Sequence, residues 1–380
     1  MRHIALVIPG FLSFGGAERQ VLLLAGGLVR RGWRVSVLAL SGEGGPPAEE
    51  FAASGATFLS LHMRKGLADP RGWLALNRWL LREAPDVVHA HLPHAAWIAR
   101  WSRLTAPVRV LIDTVHTSAT GGWGRRLGYR LSRRLPDRVT AVSQAVADAY
   151  LAARMVTAPQ LTVLPNGIDL DRWHPDPALR ARVRAELGLR DEFLWLSAGR
   201  LVAVKDYPTL LHAMAALPPQ ARLAIAGAGP LEDALRRRAR QLGLDSRVRF
   251  LGFTHDLPRF LQAADGFVLC SRWEGLPLAL LEAAACSLPS VATGVPGTSE
   301  AVADGGTGLL VRPAGSSLAL HGKMMELMRM SAEQRGELGA NARQRVELCY
   351  SLSSVLDRWE ALYTELLEAN PSPRRTGRRT

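Results

Sequence analysis

A chain of 380 residues with 48% hydrophobic and 21% charged side chains can bury two sizeable cores. Its three cysteines, Cys270, Cys286 and Cys349, are too few and too scattered for a disulfide framework or a zinc site, so buried reduced thiols and a cytosolic setting are expected. The formal net charge of +13 rests almost wholly on arginine, since Lys65, Lys205 and Lys323 are the only lysines, and no apolar stretch reaches the roughly 18 residues that cross a membrane.

At the N-terminus, Met1-Arg2-His3 precedes an apolar run, but Pro9, Gly10 and the Gly15-Gly16 pair break it too early for a signal peptide. The pattern predicts a strand over Ile4–Pro9, a glycine loop and a helix. Short apolar and β-branched runs recur at Arg34–Leu40, Thr57–Leu61, Asp86–Ala90, Val108–Asp113, Val139–Val142 and Leu161–Leu164, separated by helical stretches. A second series follows at Phe193–Ser197, Arg222–Ala226, Val248–Leu251, Gly266–Cys270, Ser290–Thr293 and Leu309–Val311. This alternation predicts an α/β protein of two Rossmann-like domains with parallel sheets. The domains are expected over residues 1–165 and 191–350, with a hinge and linker over 166–190, a helix over 351–368 and a disordered basic tail over 369–380. Ligands of such sheets bind beyond the carboxyl ends of the strands, so the cleft between the domains is the expected active site.

Two clusters carry the chemistry. Glu274 and Glu282 flank Gly275-Leu276-Pro277-Leu278-Ala279-Leu280-Leu281, which reads as a loop entering a buried helix. Pro277 suits the first helical position, where its missing N–H costs nothing, which puts Glu274 on the loop and Glu282 in the helix. At helical rise the two carboxylates lie up to about 12 Å apart, against roughly 5 to 9.5 Å for a glycosidase pair, so they suit a clamp on an extended nucleotide sugar better than acid/base hydrolysis. Upstream, a strand runs into Gly199-Arg200-Leu201-Val202-Ala203-Val204-Lys205. Gly199 allows close backbone approach, Arg200 can fork onto phosphate oxygens, and Lys205 adds a compact point charge, so the segment would hold a diphosphate. His89, His91 and His94 have a spacing that can ligate metal, but a cleft-lining role in acceptor recognition is preferred, for which His91 and His94 are taken. Gly227-Ala228-Gly229-Pro230 is only a weak dinucleotide fingerprint, because the third glycine is absent.

These clusters occur in order with Gly15-Gly16-Ala17-Glu18-Arg19, Pro165-Asn166-Gly167-Ile168-Asp169 and Leu251-Gly252-Phe253. Over its whole length the chain thus resembles the retaining glycosyltransferases of family 4, which have the GT-B fold. The resemblance implies an N-terminal acceptor domain, a C-terminal nucleotide-sugar domain, and a last helix, with Trp359 and Tyr363, crossing back to the N-terminal domain. It implies that Arg200 and Lys205 neutralise the leaving diphosphate, that Glu282 binds ribose and that Glu274 holds sugar hydroxyls. Backbone around Gly275, Leu276, Pro277 and Leu278 would assist at the helix N-terminus. Gly16 would approach the phosphate or sugar, Gly252 and Phe253 the base, and His116 the donor sugar.

Further implications are a hexose or N-acetylhexosamine donor, with UDP as the expected nucleotide, and a lipid-linked or cell-surface glycan as acceptor, as in polysaccharide or lipopolysaccharide synthesis. Retention would proceed by same-face displacement without a protein nucleophile. Asp169-Leu170-Asp171 follows the interdomain turn rather than a donor-site strand, so no metal or other cofactor is expected. Val295-Pro296-Gly297-Thr298-Ser299-Glu300 departs from the Gly-Gly pair common in relatives, which loosens the adjoining sugar pocket. A non-catalytic sugar-nucleotide-binding subunit and a sugar-nucleotide epimerase of the same fold are the alternatives.

Arg100, Arg103, Arg125, Arg126, Arg130, Arg133, Arg134 and Arg138 cluster beside Trp97, Trp101, Trp123 and Tyr129. Arginine with interfacial aromatics suits peripheral contact with anionic lipid, so a cytoplasmic protein at the inner face of the cell membrane is expected. Nucleic acid is not expected as a partner, because no recognition motif accompanies the charge.

Overall fold

The computed structural model describes residues 1–11, 15–41, 51–52, 54–63, 70–254 and 256–371. The basic run from Arg374 lies outside the described residues. The chain forms two units, one of Met1–Gly167 with the C-terminal segment from Leu352, the other of Ile168–Ser351.

The first unit is built on seven parallel strands, β1 (His3–Ile8), β2 (Arg34–Ser41), β3 (Thr57–Met63), β4 (Val87–His91), β5 (Val110–Val115), β6 (Arg138–Ala141) and β7 (Leu161–Val163), in the order β3-β2-β1-β4-β5-β6-β7. Strands β1, β4 and β5 are buried along their whole length, as central strands are when helices cover both faces of a parallel sheet, and β4 and β5 bury His89, His91, Asp113 and Thr114 among their apolar residues. The connections are α1 (Gly16–Arg30), α2 (Pro70–Glu83), α3 (Pro93–Ser102), α4 (Trp123–Leu131) and α5 (Gln144–Ala152). Right-handed crossovers put α2, α3, α4 and α5 on one face and α1 on the other, because β1 to β2 runs opposite to the later steps.

The second unit has six parallel strands, β8 (Phe193–Ala198), β9 (Ala221–Ala226), β10 (Val248–Gly252), β11 (Gly266–Leu269), β12 (Ser290–Thr293) and β13 (Leu309–Val311), in the order β10-β9-β8-β11-β12-β13. Its helices are α6 (Pro177–Glu186), α7 (Tyr207–Ala215), α8 (Glu232–Gln241), α9 (Leu257–Ala263), α10 (Leu278–Ala285), α11 (Pro296–Ala301), α12 (Ser317–Arg329) and α13 (Ala332–Tyr350). The core of this unit packs around Trp195, Tyr207, Ile225, Val268 and Met324.

The last helix, α14 (Leu352–Ala369), packs on α1 within the first unit. Its Trp359, Tyr363 and Leu366 enter the core around β1 and α1, while Glu360 accepts from Trp33 Nε1 at 2.8 Å and pairs with Arg31 at 2.5 Å. Every strand expected from the sequence is present, and ends move by one or two residues, as fraying and assignment allow. The fold is the expected α/β class, two Rossmann-like domains with parallel sheets.

Candidate functional site

In each unit the strand order reverses once, between β1 and β4 in the first and between β8 and β11 in the second. At such a switch point the neighbouring loops diverge to opposite faces of the sheet and leave a crevice beyond the strand carboxyl ends. The two clusters singled out in the second unit flank that point, since Gly199 to Lys205 follow β8 and Glu274 follows β11.

Strand β8 ends into Gly199, whose φ of 155° is open to glycine and strained for other residues. The next strand ends into Gly227, where a Cβ would lie 2.0 Å from Gly199 O, and a Cβ on Gly229 would lie 2.6 Å from Leu201 O. The glycine-rich segment after β9 therefore lies directly on the loop after β8 and fixes that loop. A single 3-10 turn, Ala203–Lys205, follows and ends at Asp206, in the left-handed region with φ 50°. Cys270 Sγ donates to Lys205 O at 3.1 Å and Arg272 Nε to Asp206 Oδ2 at 3.2 Å, tying the turn to β11 and the loop beyond it.

Lys205 Nζ thereby meets Glu274 Oε1 at 2.5 Å, both side chains mostly buried. The carboxylate loop is held from the other side, because a Cβ on Gly297 would lie 2.3 Å from Gly275 O and 2.6 Å from Glu274 O. Arg200 is exposed, and among the described residues its guanidinium has no partner. Helix α10 begins at Leu278, not at Pro277: with φ −76° and ψ 99°, Pro277 is extended and stands as the cap one position earlier. Glu282 lies inside α10 and is 3% exposed. Gly275 and Leu276 are buried beside it, while Gly252 closes β10 with φ 68° and Phe253 beyond it is exposed. Burial pushes the thiols of Cys270 and Cys286 up to about 12, so both are protonated spectators.

The first unit gathers a different set. Gly16 opens α1, with Gly15 as cap and its N–H donated to Glu18 Oε2 at 3.1 Å. His91 closes β4, and His116 follows β5. Their rings meet, Nδ1 of His91 to Nε2 of His116, at 3.2 Å, and with Gln20, Thr114, Asn166 and Trp359 they line a pocket. His91 Nε2 is buried with no partner among the described residues. Beneath the pair, fully buried His89 contacts Tyr363 Oη through Nδ1 at 2.8 Å and Thr114 Oγ1 through Nε2 at 2.6 Å, and Thr114 continues to Thr140 Oγ1 at 2.7 Å. A consistent proton order has Tyr363 donating to His89, His89 to Thr114, and Thr114 to Thr140, which donates to Asp113 O. Burial, the leading cause, holds His89 at about 3, His116 at about 4 and His91 well below its ordinary value, so the rings are neutral.

His94 does not join this group: it is the second residue of α3, half-buried, with Nε2 unpaired among the described residues, and does not line the pocket. His89, assigned to no ligand, instead anchors the pair from below. The roles of Gln20, Thr114 and Tyr363 had no signal in the sequence, because amide, hydroxyl and phenol become informative only when a partner from a distant element arrives. Asp169 Oδ1 accepts from the backbone N–H of Asp171 at 3.1 Å, so the Asp-x-Asp segment caps its own turn. Among the described residues, no group of three or more His, Cys, Asp or Glu converges as a metal set.

The arginine cluster separates. Arg100 is 1% exposed, pairs with buried Asp113 at 2.6 Å and stacks over Tyr129 at 4.3 Å, while Arg103 pairs with Asp137 and Arg138 with Glu365. Trp97 and Trp101 pack edge to face and are half-buried. Arg100, Arg103, Arg138 and Tyr129 are therefore internal struts, not parts of a membrane face, because β5, the turn before β6 and α14 bring Asp113, Asp137 and Glu365 to the three arginines.

Residues 180–345 match the family model of glycosyl transferases group 1, and residues 14–172 that of glycosyltransferase family 4. Together they cover most of the chain, which belongs to this glycosyltransferase family. Among curated relatives, it is 29% identical over 261 residues to a UDP-Gal:alpha-D-GlcNAc-diphosphoundecaprenol alpha-1,3-galactosyltransferase of Escherichia coli, covering 64% of this chain and 67% of that one. It is 38% identical over 187 residues to a GDP-mannose-dependent alpha-(1-6)-phosphatidylinositol monomannoside mannosyltransferase of Mycolicibacterium smegmatis, covering 46% and 49% of the two chains. The chain thus spans about half to two thirds of the length of these relatives. Among solved structures, Anabaena Alr3699/HepE in complex with UDP superposes with a TM-score of 0.82 at 22% identity over 96% of this chain and 100% of that one, which establishes the shared fold.

Proposed function

We propose that this protein is a retaining, metal-independent glycosyltransferase that moves a hexose or N-acetylhexosamine from a nucleoside-diphosphate sugar, UDP being the expected carrier, to a lipid-linked or cell-surface glycan. The observation that carries this reading is the Lys205–Glu274 pair beside the β8/β11 switch point, with exposed Arg200, unpartnered among the described residues, on the same loop as Lys205. The ammonium has three donors and spends one on Glu274, so two remain for diphosphate oxygens. Arg200 adds a fork for the same anion, and the free oxygen of Glu274 can accept from a sugar hydroxyl. Cations fixed beside the leaving diphosphate stabilise charge as the glycosidic bond lengthens, an effect worth about 3 to 4 kcal/mol per donor in model cases. Glu282, buried in α10, serves the ribose hydroxyls in this reading.

The neutral His91–His116 pair is the proposed polar floor for a sugar, with the buried Nε2 of His91, which has no partner among the described residues, left to meet a hydroxyl that enters the pocket. The named relatives split between UDP-galactose and GDP-mannose, and both act on lipid-linked acceptors by their names. Calorimetric titration with UDP, GDP and ADP, with and without EDTA, tests the reading. Selective binding of one diphosphate that EDTA leaves unchanged is the expected result; loss of binding in EDTA overturns metal independence, and binding of none overturns the donor assignment. Slow release of free nucleotide and a changed sugar in the absence of acceptor would point instead to an epimerase.

A further inference from the structure

One side of α4 faces away from the protein. Tyr129 is buried under Arg100, whereas Trp123, Leu127 and Leu131, at i, i+4 and i+8, are 80%, 44% and 71% exposed. Three large apolar side chains on one stripe of a helix this short stand out against the scattered exposed leucines of an ordinary surface. The charges beside the stripe are uncompensated. Arg125, Arg126, Arg130 and Arg134 are exposed, and among the described residues none pairs with a carboxylate. Arg126 and Arg130 reach only backbone carbonyls, Gly121 O at 3.0 Å and Ala153 O at 2.9 Å. From Pro93 to Arg134 the sequence has a single acidic residue, Asp113, which is buried against Arg100. In the same helix layer, α2 exposes Leu74 and Leu81 with Arg78 between them.

We propose that the α4 side of this layer rests on an anionic lipid surface, with Trp123, Leu127 and Leu131 at the headgroup boundary and the flanking arginines on lipid phosphates. Charge complementarity selects an anionic occupant, and the apolar stripe selects lipid among anions, since nucleic acid would use the arginines and leave tryptophan and leucine in water. No helix among the described residues is long and apolar enough to cross a membrane, so the contact is peripheral. The inference stands apart from the donor reading, because neither needs the other.

Co-sedimentation of the full chain with phosphatidylcholine vesicles, with and without phosphatidylglycerol, tests it. The protein is expected to pellet with the anionic vesicles only. The partition coefficient should fall about tenfold in Trp123→Ser/Leu131→Ser and about as much in Arg125→Glu/Arg126→Glu/Arg134→Glu, with unchanged melting temperatures because all five positions are exposed. Equal recovery with neutral vesicles, no binding to either, or undiminished binding of both variants would overturn the proposal. So would binding that survives Trp123→Ser/Leu131→Ser but is abolished by duplex DNA, which would give the arginines to nucleic acid. No nucleotide sugar enters this assay, so its failure leaves the diphosphate titration untouched, and the reverse.

Discussion

Lys205 and Glu274 stand 69 residues apart in sequence and 2.5 Å apart in space, which makes each the condition for the other's burial. Removing one leaves a mostly buried charge unmatched and, in Lys205→Ala, also withdraws a donor from the proposed diphosphate site. Turnover should fall about a hundredfold in Lys205→Ala and again in Glu282→Ala, read as kcat with the sugar of whichever diphosphate binds. Lys205→Arg should restore little, because a planar fork does not replace a point charge in a turn this tight; near-wild-type kcat in Lys205→Ala would remove it from the site.

The histidines make a pH prediction at the same scale. Burial lowers His89 to about 3 and His116 to about 4 from an ordinary 6.5, so between those values the unfolded chain binds protons that the folded chain refuses. Stability therefore rises with pH across the window: it is complete above about 6.5 and is lost as the pH falls towards 4 and then 3. Urea denaturation followed from pH 7.5 to 4.5 should show a falling midpoint; a flat midpoint would mean that the rings are solvated. Tyr363→Phe removes the donor to His89 Nδ1 and should cost about 1 to 3 kcal/mol without acting on the donor site.

Single elements are set by contacts that leave no room. A Cβ at Gly297, the second residue of α11, meets the carbonyls of Glu274 and Gly275, so α11 is the backstop of the carboxylate loop. Gly297→Ala should displace that loop and lower diphosphate-sugar turnover by roughly tenfold or more while shifting stability by about 1 to 3 kcal/mol. A loss of stability with unchanged turnover would show that the loop is held elsewhere. At Gly27 of α1 the same test meets Leu356 Cδ1 at 2.4 Å, which is why α14 can lie so close to α1.

At the scale of the molecule, the first unit is discontinuous: α14 returns to it after the whole second unit. Val355, Leu356, Trp359, Leu362, Tyr363, Leu366 and Leu367 are buried there, and at about 1.5 to 3 kcal/mol each their burial is as large as the roughly 5 to 15 kcal/mol by which a domain is usually stable. A chain ended at Ser351 should therefore lose the first unit's cooperative unfolding while the second unit still melts; two retained transitions would show α14 to be dispensable.

What the amino-acid order determined by itself is the part written in consecutive residues. Apolar runs of strand length, glycine breaks and helical spacing located all thirteen strands of the described residues, and with them the fold class, because periodicity is a local signal. The glycine, arginine, lysine and glutamate clusters were legible for the same reason, as short motifs at strand ends. Tertiary structure alone decided which residues meet. It joined Lys205 to Glu274, brought His91 against His116 above His89, whose ring bonds to Tyr363 274 residues further along the chain, and left His94 outside. It also split one arginine-rich segment into buried struts and an exposed face. Sequence records that Arg100 and Arg126 are both cations, but only the arrangement of the sheet brings Asp113 to the first and leaves the second facing outward.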